Sequence, residues 1–195
     1  MTLRKLLLLP LVALLVVACG VGPETTPRAL PVGNDPDAFP AENGGRAGVI
    51  EALWFVSDDQ LVPVNRTTEA APTDEEKIDT LEAGPTESEA ATGLRTALTP
   101  VLPDQPLVAT AESQGVPVAT EPGQVAVVLN AAFNRLPSQE QLLVLGQVVL
   151  SLADSPDGTV VFVDEQGTPV GVPLPSGRLT SEPLTAMDFA PLIKT

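Results

Sequence analysis

Apolar positions along the chain fall into short runs divided by turn residues, and their spacing shifts between a period of two and a period near four. Glu51-Ala52-Leu53-Trp54-Phe55-Val56 is a run of strand formers, Ser57-Asp58-Asp59-Gln60 is turn chemistry, and Leu61-Val62-Pro63-Val64 returns, which predicts a hairpin. Pro63 cannot donate a ladder bond, so the returning strand belongs at an edge or a bulge. Thr73-Asp74-Glu75-Glu76 has the form of a capping box, with Ile78 and Leu81 as the buried stripe and Gly84-Pro85 as the stop, which predicts a short exposed helix over 74–83. Residues 85–93 read as loop, and Leu94 to Leu98 as a short strand. Leu107–Glu112 and Val125–Asn130 are two further strands. They are joined by the long connection 113–124, in which Val116–Ala119 are an extra pair of β-type residues. Val125-Ala126-Val127-Val128-Leu129 is almost unbroken apolar and predicts a central strand.

The longest apolar periodic segment starts at Pro137-Ser138 and ends near Ala153. Ser138 and Gln141 suggest a second capping box. Leu142, Leu145, Gly146, Val149 and Leu152 share a face that Leu143, Val144 and Val148 widen, as in a helix buried on a sheet. Gly146 on that face would allow close approach. Asp154-Ser155-Pro156-Asp157-Gly158 is a turn, Thr159–Val163 a buried strand, and Asp164–Gly167 a turn from which Val170–Pro173 returns. From Ser176 onward the sequence predicts an edge segment and a loose C-terminus. The expected fold is α+β: a single domain with a mixed or antiparallel sheet, one short helix and one long apolar helix.

The first 48 residues have a different pattern. Arg4 and Lys5 precede twelve apolar residues, Leu6 to Val17. Such a run is too short to span a bilayer, which needs about 20 residues, and suits a signal peptide. It ends in Val16-Val17-Ala18-Cys19, which resembles the bacterial lipobox. That resemblance implies cleavage between Ala18 and Cys19, and a diacylglycerol bearing chains such as palmitate on the Cys19 sulfur. Two acyl chains at one site satisfy the requirement for stable anchoring. Residues 19–48 are rich in Pro and Gly, show no period, and predict a disordered tether with a reach on the order of 30 Å. The expected organisation is therefore signal peptide 1–18, tether 19–48, domain 49–185 and tail 186–195, placed outside the cytoplasm on a membrane by lipid.

Charge and residue inventory narrow the chemistry. The net charge of −15 becomes −17 once Arg4 and Lys5 leave with the leader. Nucleic-acid binding needs clustered Lys and Arg, so no nucleic-acid partner is expected. One cysteine allows no internal disulfide, and the absence of histidine leaves no Cys/His zinc set. Without His or Tyr, a serine nucleophile would need an unusual base, with Lys77 and Lys194 the only lysines beyond the leader. Asp58 and Asp59 are taken as solvated turn residues. Residues 153–158 lack two ligands of the EF-hand pattern. Asn65-Arg66-Thr67 matches a glycosylation sequon that a bacterial leader makes incidental. No catalytic residue, metal site or cofactor is expected, and the protein is not expected to be an enzyme.

Leu81-Glu82-Ala83-Gly84-Pro85, Gly93-Leu94-Arg95-Thr96-Ala97-Leu98 and Val125–Phe133, followed by the apolar helix and the Thr159–Val163 hairpin, resemble the GerMN domain of sporulation and germination proteins, over about residues 50–182. The resemblance implies a fold related to ring-building motifs and a scaffold or protein-interaction role in the cell envelope, with an envelope protein partner. It also implies, in some relatives, association with sensor kinases. Glu82 stands where an aliphatic residue is usual. The alternative expectation, from a different class, is a lipoprotein that binds a small apolar ligand.

Overall fold

The computed structural model describes residues 48–100 and 106–195. The expected signal peptide and all of the tether before Gly48 lie outside them. The first hairpin pairs β1 (Val49–Ser57) with β2 (Gln60–Thr68) antiparallel, in a register that sets Ser57 against Gln60 and Val49 against Thr68. Asp58 and Asp59 both have positive φ, 50° and 59°, which the tight type I′ hairpin turn demands and which aspartate tolerates better than most residues. Trp54 N–H donates to Ser151 Oγ, and Val56 exchanges both backbone bonds with Arg95. The backbone N–H and C=O groups of even-numbered β1 residues therefore point away from β2. Pro63, the partner of Trp54, occupies an outward position where its missing N–H costs no ladder bond.

Helix α1 (Asp74–Ala83) begins with the expected capping box: Thr73 Oγ1 accepts Glu76 N–H, and the Glu76 carboxylate accepts Thr73 N–H. The region expected as loop holds another helix, α2 (Glu87–Ala90), with its own capping box from Thr86 and Glu89. Arg66 pairs with Glu89 at 2.8 Å and lies over the Phe55 ring, 5.1 Å from its centroid. The Thr86 backbone N–H bonded to its carboxylate, helped by Arg66, holds Glu89 below the usual glutamate range. Leu94–Leu98 forms no strand, only the bridge from Arg95 to Val56.

Strand β4 (Gln124–Leu129) lies between β3 (Val108–Thr110), antiparallel to it, and β5 (Thr159–Val163), parallel to it. A parallel pair needs a crossover, and α3 (Ser138–Leu152) supplies it. Every residue from Leu143 to Leu152 is buried, as expected of a helix apolar almost all round. One face of the sheet, with Val108, Val127, Val160 and Phe162, joins α3 in the main core. The other, with Ala126, Val128, Val161 and Val163, forms a second small cluster against Val116 and Val118. Thus β4 is central, as its sequence predicts. The single expected sheet is instead three small ones, the last pairing β6 (Val172–Pro173) with β7 (Leu179–Thr180).

The expected capping box at α3 does not form. Pro137 holds the cap position and its carbonyl accepts Gln141 N–H, which leaves Ser138 inside the first turn. The Gln141 amide instead donates back to the carbonyls of Leu136 and Phe133. The expected close approach at Gly146 is present: a Cβ there would lie 2.7 Å from Leu61 Cδ1 and 3.1 Å from Phe189 Cδ1. Phe189 belongs to the segment expected as a loose tail. That segment is a 3-10 helix, Ala186–Leu192, capped by Thr185 and Asp188, with Phe189 fully buried. Beyond it Lys194 N–H bonds the Leu61 carbonyl, beside a parallel bridge from Ile193 to Leu61. Among the described residues, no helix is long and apolar enough to cross a membrane.

Candidate functional site: a buried lysine behind an acidic groove

Lys77 sits one residue before Ile78, so the turn of α1 that buries Ile78 and Leu81 also draws its stem inward. Only 5% of Lys77 is exposed, not the surface position expected for it. Its Nζ donates to Asp154 Oδ2 at 2.7 Å and lies 3.0 Å from Glu51 Oε1. The angle of the second contact falls outside hydrogen-bond geometry and leaves Glu51 Oε1 without a directional partner, so that pair is held by charge. Desolvation opposes the ammonium, but the hydrogen bond to Asp154 and the negative charge of Glu51 outweigh it and hold Lys77 above the ordinary lysine value. A lysine nucleophile or general base needs the opposite shift. The triad instead ties α1 to β1 and to the turn after α3.

The first turn of α1, just before Lys77, and the connection between β3 and β4 line a groove of about 660 Å³. Its rim carries Asp74, Glu75 and Glu112, its floor includes Ala111 and Ala126, and Val116 and Val118 close one side; no basic side chain lines it. Asp74 is half-buried. Desolvation raises its carboxyl above the usual range; Lys77 opposes this, and the charges of Asp154, Glu112 and Glu51 add to it.

Glu82, on the same helix, has a buried Oε1 with no hydrogen-bond partner. Burial first, and the neighbouring Asp79 second, raise its pKa. The folded state therefore holds this proton more tightly than the unfolded chain. That contribution to stability is full below the ordinary glutamate value and is lost as pH rises through the raised one. Replacing Glu82 by Leu should raise stability at pH 7 by about 1 kcal/mol, with the advantage narrowing toward pH 4. Thermal melting at both pH values measures it, and an equal advantage at both would contradict the burial cost.

The other residues singled out by sequence have structural surroundings. Asp58 pairs with Lys194 at 3.0 Å; Asp59 pairs with Arg95 at 3.3 Å, and Arg95 also holds Glu140. Both remain solvated turn residues, as expected, with side chains 84% and 70% exposed, so these surface pairs add little. Residues 154–158 form a turn whose Asp154 serves Lys77. Cys19 and Ala18 lie outside the described residues. Among the described residues, no group of three or more His, Cys, Asp or Glu is placed to hold a metal ion. Gln147 and Ser151, one turn apart on α3, are fully buried. Gln147 Oε1 accepts Ala97 N–H at 2.7 Å, as Ser151 accepts Trp54, so α3 carries polar fasteners for both neighbouring segments.

A search of protein families gives no match, and no curated protein matches the sequence. Among solved structures, the tandem GerMN domains of the sporulation protein GerM from Bacillus subtilis share the fold, with a TM-score of 0.51 and 17% identity over 78% of this chain and 50% of that one. The chain spans half the length of that tandem structure. The likeness extends to the arrangement of helices and strands, an α+β, GerMN-like fold.

Proposed function

We propose that this chain is an extracytoplasmic lipoprotein, anchored through Cys19, whose GerMN-like domain is a non-catalytic interaction or scaffold module of the cell envelope. The observation that carries the domain reading is the likeness of its fold to the tandem domains of a sporulation protein. The chemistry of Lys77 agrees with it, because a charge-locked ammonium is a structural post rather than a reactive amine. The anchoring reading rests on Arg4 and Lys5, the twelve apolar residues and Val16-Val17-Ala18-Cys19. A link to sporulation-type assembly or to sensor-kinase signalling belongs to the same proposal.

Cells fed radioactive palmitate should label the wild-type protein and leave Cys19→Ala unlabelled and released from the membrane fraction. Wild type without label would end the anchoring reading. For the domain, cross-linking in intact envelopes should give a reproducible protein adduct. A melting shift with a small apolar molecule and no protein adduct would favour ligand binding instead.

A further inference from the structure

The connection between β3 and β4 has no role in the core comparable to its length. Val116-Pro117-Val118-Ala119-Thr120 is strand-like in sequence, yet it forms no strand. Val116 and Val118 rest on the second apolar cluster, while Pro117, Ala119 and Thr120 are exposed. Val116 N–H bonds Ala111 O, but among the described residues the backbone N–H groups of Val118, Ala119 and Thr120 donate to nothing. A segment with free main-chain donors can take an added strand. It borders the groove, where Ala111, Val125 and Ala126 meet three carboxylates in a mostly polar lining; the cation that acts on Asp74, Lys77, is already held by Glu51 and Asp154.

We propose that residues 116–120 and the adjoining groove dock an extended, cationic segment of a partner protein. The partner's backbone would pair along Val118–Thr120. Its small apolar side chains would fill the floor between Val118 and Ala126, and a Lys or Arg would meet Asp74 and Glu112. The strap supplies generic main-chain affinity, and the carboxylates select the sign of the partner's charge. The partner class rests on the interaction reading above; the groove itself is tested apart from it.

The probe is a ten-residue peptide of alternating lysine and valine, with a glutamate–valine peptide as its opposite, titrated calorimetrically into the domain at 150 mM NaCl. The basic peptide should bind and the acidic one should not. Asp74→Asn with Glu112→Gln should weaken binding about tenfold, equivalent to about 1.4 kcal/mol. Glu87→Gln with Glu182→Gln, the same charge change outside the groove, should leave it unaltered. The amides of Val118, Ala119 and Thr120 should become protected from hydrogen exchange on binding. No binding, equal weakening by both pairs of substitutions, or unprotected strap amides would each overturn the proposal, the second by showing only diffuse attraction to the net charge. An envelope partner cross-linked equally to wild type and to Asp74→Asn/Glu112→Gln would discard the groove and keep the interaction reading. A basic peptide bound at the groove with no envelope adduct would do the reverse.

Discussion

Ending the chain after Thr185 should abolish cooperative unfolding, although only ten residues are lost. Those residues include Phe189, fully buried against Gly146, as well as the partly buried Leu192 and Ile193 and the Lys194 amide bonded to Leu61. Phe189→Ala alone should cost about 3–5 kcal/mol. Small domains have a total of only about 5–15 kcal/mol. Truncation adds the loss of Leu192 and Ile193 and opens Leu61, itself fully buried, to water. The truncated protein should show no sharp thermal transition and lose its near-ultraviolet circular dichroism, while Phe189→Leu retains both. A truncated domain melting within about 4 °C of the full chain, a shift worth roughly 1 kcal/mol or less, would show that the segment is not part of the core.

The second large effect is at Lys77. Lys77→Met leaves Glu51, with a side chain only 10% exposed, as a buried carboxylate without its cation. Breaking a buried pair from one side costs about 3–5 kcal/mol. Replacing both partners, Lys77→Met with Glu51→Leu, should recover most of that loss, because apolar groups of similar volume remove the desolvation penalty along with the attraction. Urea denaturation midpoints of the four proteins form the cycle. A single variant as stable as wild type, or a double variant no better than the single, would refute a charge-held triad. The raised pKa sets the pH range: the folded state binds this proton more tightly, so the stabilisation is fully present below the ordinary lysine value and is lost as pH climbs through the raised one.

These two sites also show where sequence reasoning reaches. Helix α1 was legible to the residue because Thr73 and Glu76 signal its start locally, just as Gly84 signals its end. Strands β4 and β5 and the buried α3 were legible from unbroken apolar runs, and the α+β class followed from them. Lys77 was not, because its partners Glu51 and Asp154 are remote in sequence and only packing brings them together. Helix α2 carries the same local sign as α1 in Thr86 and Glu89, but no apolar run follows to mark it as a helix. At α3 the pattern misled: Ser138 and Gln141 have capping-box spacing, yet Pro137 takes the cap. The C-terminal segment carried a usable sign in Thr185 and Asp188, masked by Pro183 before the helix and Pro191 within it, which look like loop. The groove could not be read from sequence, because it lies between segments about forty residues apart whose acids each look like ordinary surface charge.

The meeting of the first hairpin with the last residues has a consequence in time as well as in energy. Lys194 reaches Asp58 across 136 positions of sequence, and α3, which both ends cover, lies between them. Contacts this remote require the entropy of closing a long loop before they return any stability, which slows folding. A domain closed in this way cannot complete its core until its final turn is available. For a protein exported as proposed, the chain therefore emerges unlocked. The N-terminal lipid would then hold it at the membrane while the C-terminus finishes the fold.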